Sequence, residues 1–448
     1  MFVKARLPRG AGLFCVCRSP LDARRRSSQR TRSWRGDWSC PLFFSARDPG
    51  DLERSPADDY PSRVRQPSTI FASLGTTIFE TMSRLAEQHS AINLGQGFPD
   101  EGGPAEVVER AAAFLREGNN QYPPLAGLLS LREAIARHEE RCYGLARDPR
   151  TEVVVTSGAT EALAASLLAL VQPGDEVIVF EPLYDSYVPM ILRAGGVPVP
   201  IRLHAPEFSL DAGELGRKLS DKTRVILVND PQNPAGKAWM EAELQAVASA
   251  ALDVDAIVLC DEVYEHLVFD GRRHTPIAAL PEMGPRTLKV GSAGKVFSMT
   301  GWKVGWVTGP AALCSVVAKA HQYLTFTTPP NLQAGVAWGL DHASGWVDEL
   351  RRSLEHKRDH FGAGLRAAGA KVLPSGGTYF LNVDLAGTPW AGRDADYCRD
   401  LTERRGVAAI PLSAFYVSSP PRDVVRFCFA KRRAVLDAAL ERLSGERG

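Results

Sequence analysis

The chain has 448 residues, 44% of them apolar and 23% charged, with 53 basic and 52 acidic side chains and a formal charge of +1. That length holds roughly two or three domains' worth of core, and the balanced charge excludes a global attraction to nucleic acid or to an anionic surface, so any anion has to be bound locally. The eight cysteines form no CxxC pair, which argues against zinc and against a disulfide framework and makes a reducing compartment the default; no apolar run of roughly 18 residues offers a membrane span.

Residues 1–67 contain Arg24, Arg25 and Arg26, many further Arg and Ser, and no helical apolar period. They are expected to lie outside the fold, as a disordered leader or an extension upstream of the true start. The same composition suits a mitochondrial transit peptide or a basic arm, and the first of these would replace a cytoplasmic location by a mitochondrial one.

From about Glu152 the pattern becomes short β-branched runs, each followed by a turn and an amphipathic helix. Val153-Val154-Val155 leads into a helix over 160–171, Val177-Ile178-Val179 follows, Val225 to Val228 ends at Asn229, and Ile257-Val258-Leu259 ends at Cys260. Strands alternating with helices predict an α/β fold with a mostly parallel sheet covered on both faces, with its ligand at the carboxyl ends of the strands. After about Gly345 the character changes: a long charged helix over 344–367, then short strands near Val372, 379–383 and 425–429. The expected organisation is an arm and part of a small domain over 68–117, a large domain over 118–343, and the rest of a small α+β domain over 344–448.

Four segments carry chemistry. Ser157-Gly158-Ala159-Thr160 is a small-residue turn between a strand and a helix, a shape that aims backbone N–H groups and a helix dipole at an anion such as a phosphate. Small residues also open many helices that bind nothing. Asp261 ends an apolar strand, where a carboxylate can keep a pyridine nitrogen protonated; its plain alternative is a helix cap. Lys295, in Ser292-Ala293-Gly294-Lys295, follows an apolar run, and a confined lysine has a lowered pKa and can form a Schiff base. The segment also fits an S-x-x-K pattern and part of a P-loop, but lacks the companion motifs of both. Arg426 lies among apolar residues, where its fork suits a substrate carboxylate or, in the bland reading, a structural salt bridge.

Together these segments resemble one family, the fold-type-I aminotransferases of class I/II that use pyridoxal 5'-phosphate, and within it the kynurenine/glutamine/methionine branch. The similarity rests on GSAGKVFSMTGWKVG from Gly291 to Gly305, on Asn93 to Asp100, on Asn120-Gln121-Tyr122, on Asp261-Glu262-Val263-Tyr264 and on Arg426-Phe427-Cys428-Phe429. The resemblance implies that Lys295 carries the cofactor as a Schiff base and moves the substrate proton, that Asp261 pairs with the ring nitrogen, and that Tyr264 and Asn233 bond the ring oxygen. It implies Tyr184 stacked on the ring, and Ala159, Thr160, Ser292 and Lys303 on the phosphate. It further implies that Tyr122 reaches the cofactor phosphate of the neighbouring subunit in a homodimer, that Arg426, Asn233 and Gly97 hold the substrate carboxylate, and that Phe79 and Phe326 line the side-chain pocket. No metal is implied.

Several positions depart from the branch. Asp230 replaces a neutral residue and is expected to add charge near the ring; Thr378 stands where a large residue or none is usual; Phe79 and Thr327 replace Trp and His. Three aromatic faces, from Phe79, Phe326 and Tyr122, together with the lack of a second motif-supported arginine, point to methionine, aromatic amino acids, kynurenine or glutamine as donors, with aspartate poor. The competing readings are a cysteine-conjugate β-lyase, which shares the carbanion chemistry, and a non-enzymatic regulator, which would need a DNA-binding domain of about 60 to 70 residues that the leader does not supply.

Overall fold

The computed structural model of the protein describes residues 68–445; the leader expected over 1–67 lies outside the described residues. The strands, in chain order, are β1 (Ile92–Asn93), β2 (Val153–Thr156), β3 (Glu176–Glu181), β4 (Val197–His204), β5 (Ser209–Leu210), β6 (Thr223–Asn229), β7 (Ile257–Asp261), β8 (Thr287–Ser292), β9 (Gly305–Thr308), β10 (Lys371–Val372), β11 (Phe380–Asp384), β12 (Val407–Ala408), β13 (Ile410–Pro411) and β14 (Val424–Cys428). Eight of them form one sheet in the order β2-β9-β8-β7-β6-β3-β4-β5.

The centre of that sheet, β8, β7, β6, β3 and β4, is parallel. Val177, Ile178 and Val179 of β3 and Val225 and Ile226 of β6 are all 0% exposed. A strand covered on both faces has no solvent side, so it reads as an unbroken β-branched run rather than an alternation. The covering helices follow the strands in sequence: Ala159–Leu170 after β2, Tyr187–Ala194 after β3 and Glu241–Asp253 after β6.

Two strands depart from the parallel pattern: β5 at the edge, antiparallel to β4, and β9. β9 runs antiparallel to both β8 and β2. The connection between β8 and β9 is spent on a single helical turn, Ala293–Val296, and a 3-10 turn, Thr300–Trp302. No crossover helix forms there, and a parallel return usually runs through one. Lys295 therefore sits on a short connection pinned at both ends by buried strands.

Towards the C-terminus β10, β11, β14 and β13 form an antiparallel four-stranded sheet, against which the helix Ser344–Ala367 packs. β1 pairs in parallel with β12, and the helix Ile78–Gln88 packs on Asp394–Arg405, so the chain around 78–93 is joined to this later part. The helix Ala105–Glu117 instead buries Val107 and Ala111 and packs on Pro330–His342. No described helix is long and apolar enough to cross a membrane.

Candidate active site

The carboxyl ends of β6, β7 and β8 and the segment after β3 meet the turn after β2 around a cavity of about 330 Å³. At one end Gly158, with φ +82°, turns the chain into the helix Ala159–Leu170, whose first N–H groups are unpaired by the geometry of a helix start. Ser157 is not among the free donors, because its N–H is taken by Glu161 at 3.0 Å. Lys303 lies against this turn: a Cβ on Gly158 would stand 3.2 Å from Lys303 Cε and 3.4 Å from its Nζ. Helix dipole, free N–H groups and ammonium converge on a place for a phosphate-sized anion.

Asp261 ends β7 and is 5% exposed. Its Oδ2 accepts the Tyr187 hydroxyl at 2.6 Å, while its Oδ1 is buried without a partner. The Val263 N–H favours the anion without closing a hydrogen bond of normal geometry. Burial pushes the carboxyl up to about 6, against the pull of Tyr187. An orphaned buried carboxylate oxygen is costly, and a cationic N–H is the group that satisfies it. No helix begins at Asp261, so the cap reading falls.

Lys295 points its Nζ to the Tyr379 hydroxyl at 2.9 Å and lies 5.5 Å and 5.6 Å from the ring centres of Tyr264 and Tyr379. Burial brings its pKa down to about 8; Asp261 opposes the fall, and Lys303 and Arg426 add to it. Part of the amine is then neutral and nucleophilic near neutral pH.

Arg426, on β14, is 1% exposed. It donates to Asn233 Oδ1 at 2.8 Å and to the Gly95 carbonyl at 3.0 Å, and its guanidinium lies 4.0 Å over the Phe380 ring. Its Nε is buried without a partner. Burial pushes its pKa down to about 10, which leaves it cationic at neutral pH. A buried guanidinium bonded to an amide and a carbonyl, rather than to a carboxylate, is equipped to receive one.

Residues 89–443 match the profile of the aminotransferase class I and II family. The chain belongs to that family. It is 46% identical over 381 residues to the probable N-succinyldiaminopimelate aminotransferase of Mycobacterium tuberculosis, covering 82% of this chain and 96% of that protein. The crystal structure of YbdL of Escherichia coli, described as having a methionine aminotransferase function, superposes with a TM-score of 0.82 at 42% identity, covering 85% of this chain and 100% of that one. The rat kynurenine–oxoglutarate transaminase 1 is 37% identical, over 80% of this chain and 93% of that protein. All three are named for amino transfer, which favours neither the β-lyase nor the regulator.

Family membership implies pyridoxal phosphate, and the residues present fit it. The anion cradle, the orphaned Asp261 oxygen and the poised lysine lie around one cavity. Phe79, Gly97, Tyr184 and Tyr264 line the same space, as do Ser292 and Asn233. A Cβ on Gly97 would stand 2.9 Å from Phe380 Cζ, which explains why glycine is needed there.

Two expected residues are not brought into this cavity. Tyr122 is 81% exposed and Phe326 41%, and their rings meet edge to face at 5.2 Å. Within the described chain Phe326 lies on the outer surface beside Tyr122, just past the end of the helix Ala311–Leu324. Asp230, expected to add charge near the ring, is not among the residues that line the cavity. Its Oδ1 accepts the Trp239 N–H at 3.1 Å, and its Oδ2 lies 3.4 Å from Nδ1 of His274, whose Nε2 is 2.9 Å from Glu262. Burial works against a charge on His274, but Glu262 and Asp230 outweigh it and push its pKa up to about 10. One imidazolium thus stands between two carboxylates, Asp230 and Glu262. Thr378, 0% exposed with φ +65°, accepts the Phe380 N–H at 3.2 Å and so shapes the turn before β11.

Sequence reasoning missed Tyr187, Tyr379, Asn229 and Asp185. Asn229 ties two loops together, donating to the Asp261 carbonyl at 2.8 Å and accepting the Asn233 N–H at 2.7 Å. Asp185 lines the cavity; burial raises its pKa while Arg426 holds it down. The available signal was adjacency: Asp185 and Tyr187 flank the stacking candidate Tyr184, and Asn229 ends a strand. Behind the site Lys289, 0% exposed, bonds Glu265 at 2.6 Å and Glu139 at 3.2 Å.

Proposed function

We propose that this aminotransferase moves the amino group of methionine, an aromatic amino acid, kynurenine or glutamine to a 2-oxo acid, using pyridoxal 5'-phosphate held by Lys295. The observation that carries the reading is a lysine amine brought down to about 8 in the same cavity as a buried carboxylate oxygen without a partner. When bound, the cofactor supplies an electron-poor ring that takes up the electron pair left as the substrate α-carbon loses its proton.

The chain's own residues do the rest. Asp261 keeps the ring nitrogen protonated, Tyr264 bonds the ring oxygen and Tyr184 covers a ring face. Ala159 and Thr160 N–H groups, the Ser292 hydroxyl and the Lys303 ammonium hold the phosphate. Lys295 takes the proton from the substrate α-carbon and returns it to the cofactor side. Arg426, with Asn233 and the Gly97 backbone, holds the substrate carboxylate.

The lining supports this donor class. Phe79, Tyr264 and Phe380 offer aromatic faces, which favour apolar and thioether side chains, and Asp185 repels a second carboxylate. The Tyr122–Phe326 pair stands ready for the pocket of a second copy in a homodimer. Five free thiols among the described residues suit a reducing, cytoplasmic setting. The test is kcat/KM for methionine against aspartate with a common oxo-acid acceptor; a preference for aspartate overturns the substrate assignment.

A further inference from the structure

Tyr379 is 1% exposed and its hydroxyl stands at the meeting of three groups. It donates to the Gly97 carbonyl at 2.8 Å. A phenol has a single proton, so once that proton is committed the oxygen serves the other two as acceptor only. Lys295 Nζ donates to it at 2.9 Å, and the Tyr264 hydroxyl approaches at 3.4 Å. Gly97 belongs to the segment that faces Arg426, whose guanidinium bonds the Gly95 carbonyl at 3.0 Å. One hydroxyl therefore joins the lysine amine to the backbone that borders the carboxylate site.

We propose that Tyr379 is the positioning residue of Lys295: it holds one amine N–H when the lysine is free of the cofactor, aims the nitrogen lone pair into the cavity, and ties that aim to the Gly97 segment. The inference rests on the reading of Lys295 as the amine that takes up the cofactor. An acceptor at 2.9 Å stabilises the ammonium more than the neutral amine, so Tyr379 limits how far burial depresses the lysine. A bland role, in which Tyr379 only fills the core and satisfies a carbonyl, has no effect on the lysine's proton.

The experiment follows uptake of pyridoxal phosphate by the cofactor-free protein from pH 6 to 10, since only the neutral amine bonds to the aldehyde. In the wild type the rate should rise about tenfold per pH unit and level off near pH 8. Tyr379→Phe keeps the ring and removes the acceptor, so the levelling-off should move towards pH 7. With the α-deuterated donor, single turnover in the same variant should slow by about tenfold and show a larger isotope effect, as proton transfer becomes more limiting. Gly97→Ala approaches the link from its other end. Displacing the Gly97 carbonyl frees the Tyr379 proton to point at the lysine, and the levelling-off should again move down.

A Tyr379→Phe protein with the wild-type pH midpoint and isotope effect overturns the positioning role, and an unmoved midpoint in Gly97→Ala overturns the tie to the Gly97 segment. Melting temperatures measured alongside separate both results from a loss of fold. A wild-type chain that takes up no cofactor at any pH sinks the reading of Lys295 itself, which is a different result from uptake with an unmoved midpoint.

Discussion

Replacing Tyr187 by Phe removes the hydroxyl that bonds Asp261 Oδ2 at 2.6 Å and leaves the ring in place. A hydrogen bond to a charged group contributes about 2 kcal/mol, equivalent to about 1.5 pH units. The Asp261 carboxyl, at about 6 in the wild type, should then titrate near about 7.5 in the variant. The ionised form is the one that pairs with a protonated ring nitrogen, so cofactor affinity falls as the carboxyl protonates. Comparing ionised fractions, the variant should bind pyridoxal phosphate about 16-fold more weakly at pH 6, about fourfold at pH 7 and about equally at pH 9. The other titrating groups are common to both proteins and cancel in the ratio. The assay is a fluorescence titration of the cofactor-free proteins at those three pH values. A defect of equal size at pH 6 and pH 9 would assign Tyr187 to packing, and no defect at all would refute its role as the partner of Asp261.

Lys295→Ala should abolish turnover and any borohydride-fixed attachment of the cofactor; attachment mapping to another lysine removes Lys295 from its role. Asp261→Asn should lower kcat by about 10²-fold or more, about 3 kcal/mol, with near-normal turnover as the contrary result. Asp185→Asn removes a like charge from the cavity and should raise kcat/KM for aspartate relative to methionine by about fivefold to tenfold; an unchanged ratio takes Asp185 out of donor selection. Lys289→Met removes the ammonium between the buried Glu265 and Glu139 carboxylates, of which Glu139 keeps Arg147 and Thr308, and should cost about 3–5 kcal/mol of stability at pH 7. Burial raises the pKa of Glu265, but Lys289 and the neighbouring histidines outweigh it and hold it well below the ordinary value, so that stabilisation is present above about pH 4 and lost as pH falls. The deficit measured by urea unfolding should accordingly shrink in acid, and a deficit that grows in acid would refute the pairing.

What was legible in the sequence had its signal within a few residues. Asp261 and Lys295 each follow an apolar run that announces a buried strand, and Gly158 stands where a strand meets a helix, so position and chemistry coincide locally. Tyr187 and Tyr379 carry no such mark. Their partners lie 74 and 84 residues away in sequence, and only the folded sheet brings them together. The imidazolium beside Asp230 is hidden from local reading in the same way, since it comes from a distant loop. β9 is not read from the apolar runs, and its direction is tied to a connection through Lys295 that holds no crossover helix. Phe326 was placed in the pocket by family resemblance, and within one chain its environment is the surface beside Tyr122.

The pairing of β2 with β9 also sets when this site can exist during synthesis. β2 leads into the turn proposed to hold the phosphate, but its sheet partner lies roughly 150 residues downstream. At about 5–20 residues per second, a ribosome needs about 8 to 30 s to deliver it. Until then the Gly158 turn has neither Lys303 beside it nor a neighbour for its strand, although β3, β4 and β6 have already emerged. A nascent chain stalled before Gly305 should therefore retain no cofactor, and the phosphate cradle becomes one of the last parts of the sheet to be completed.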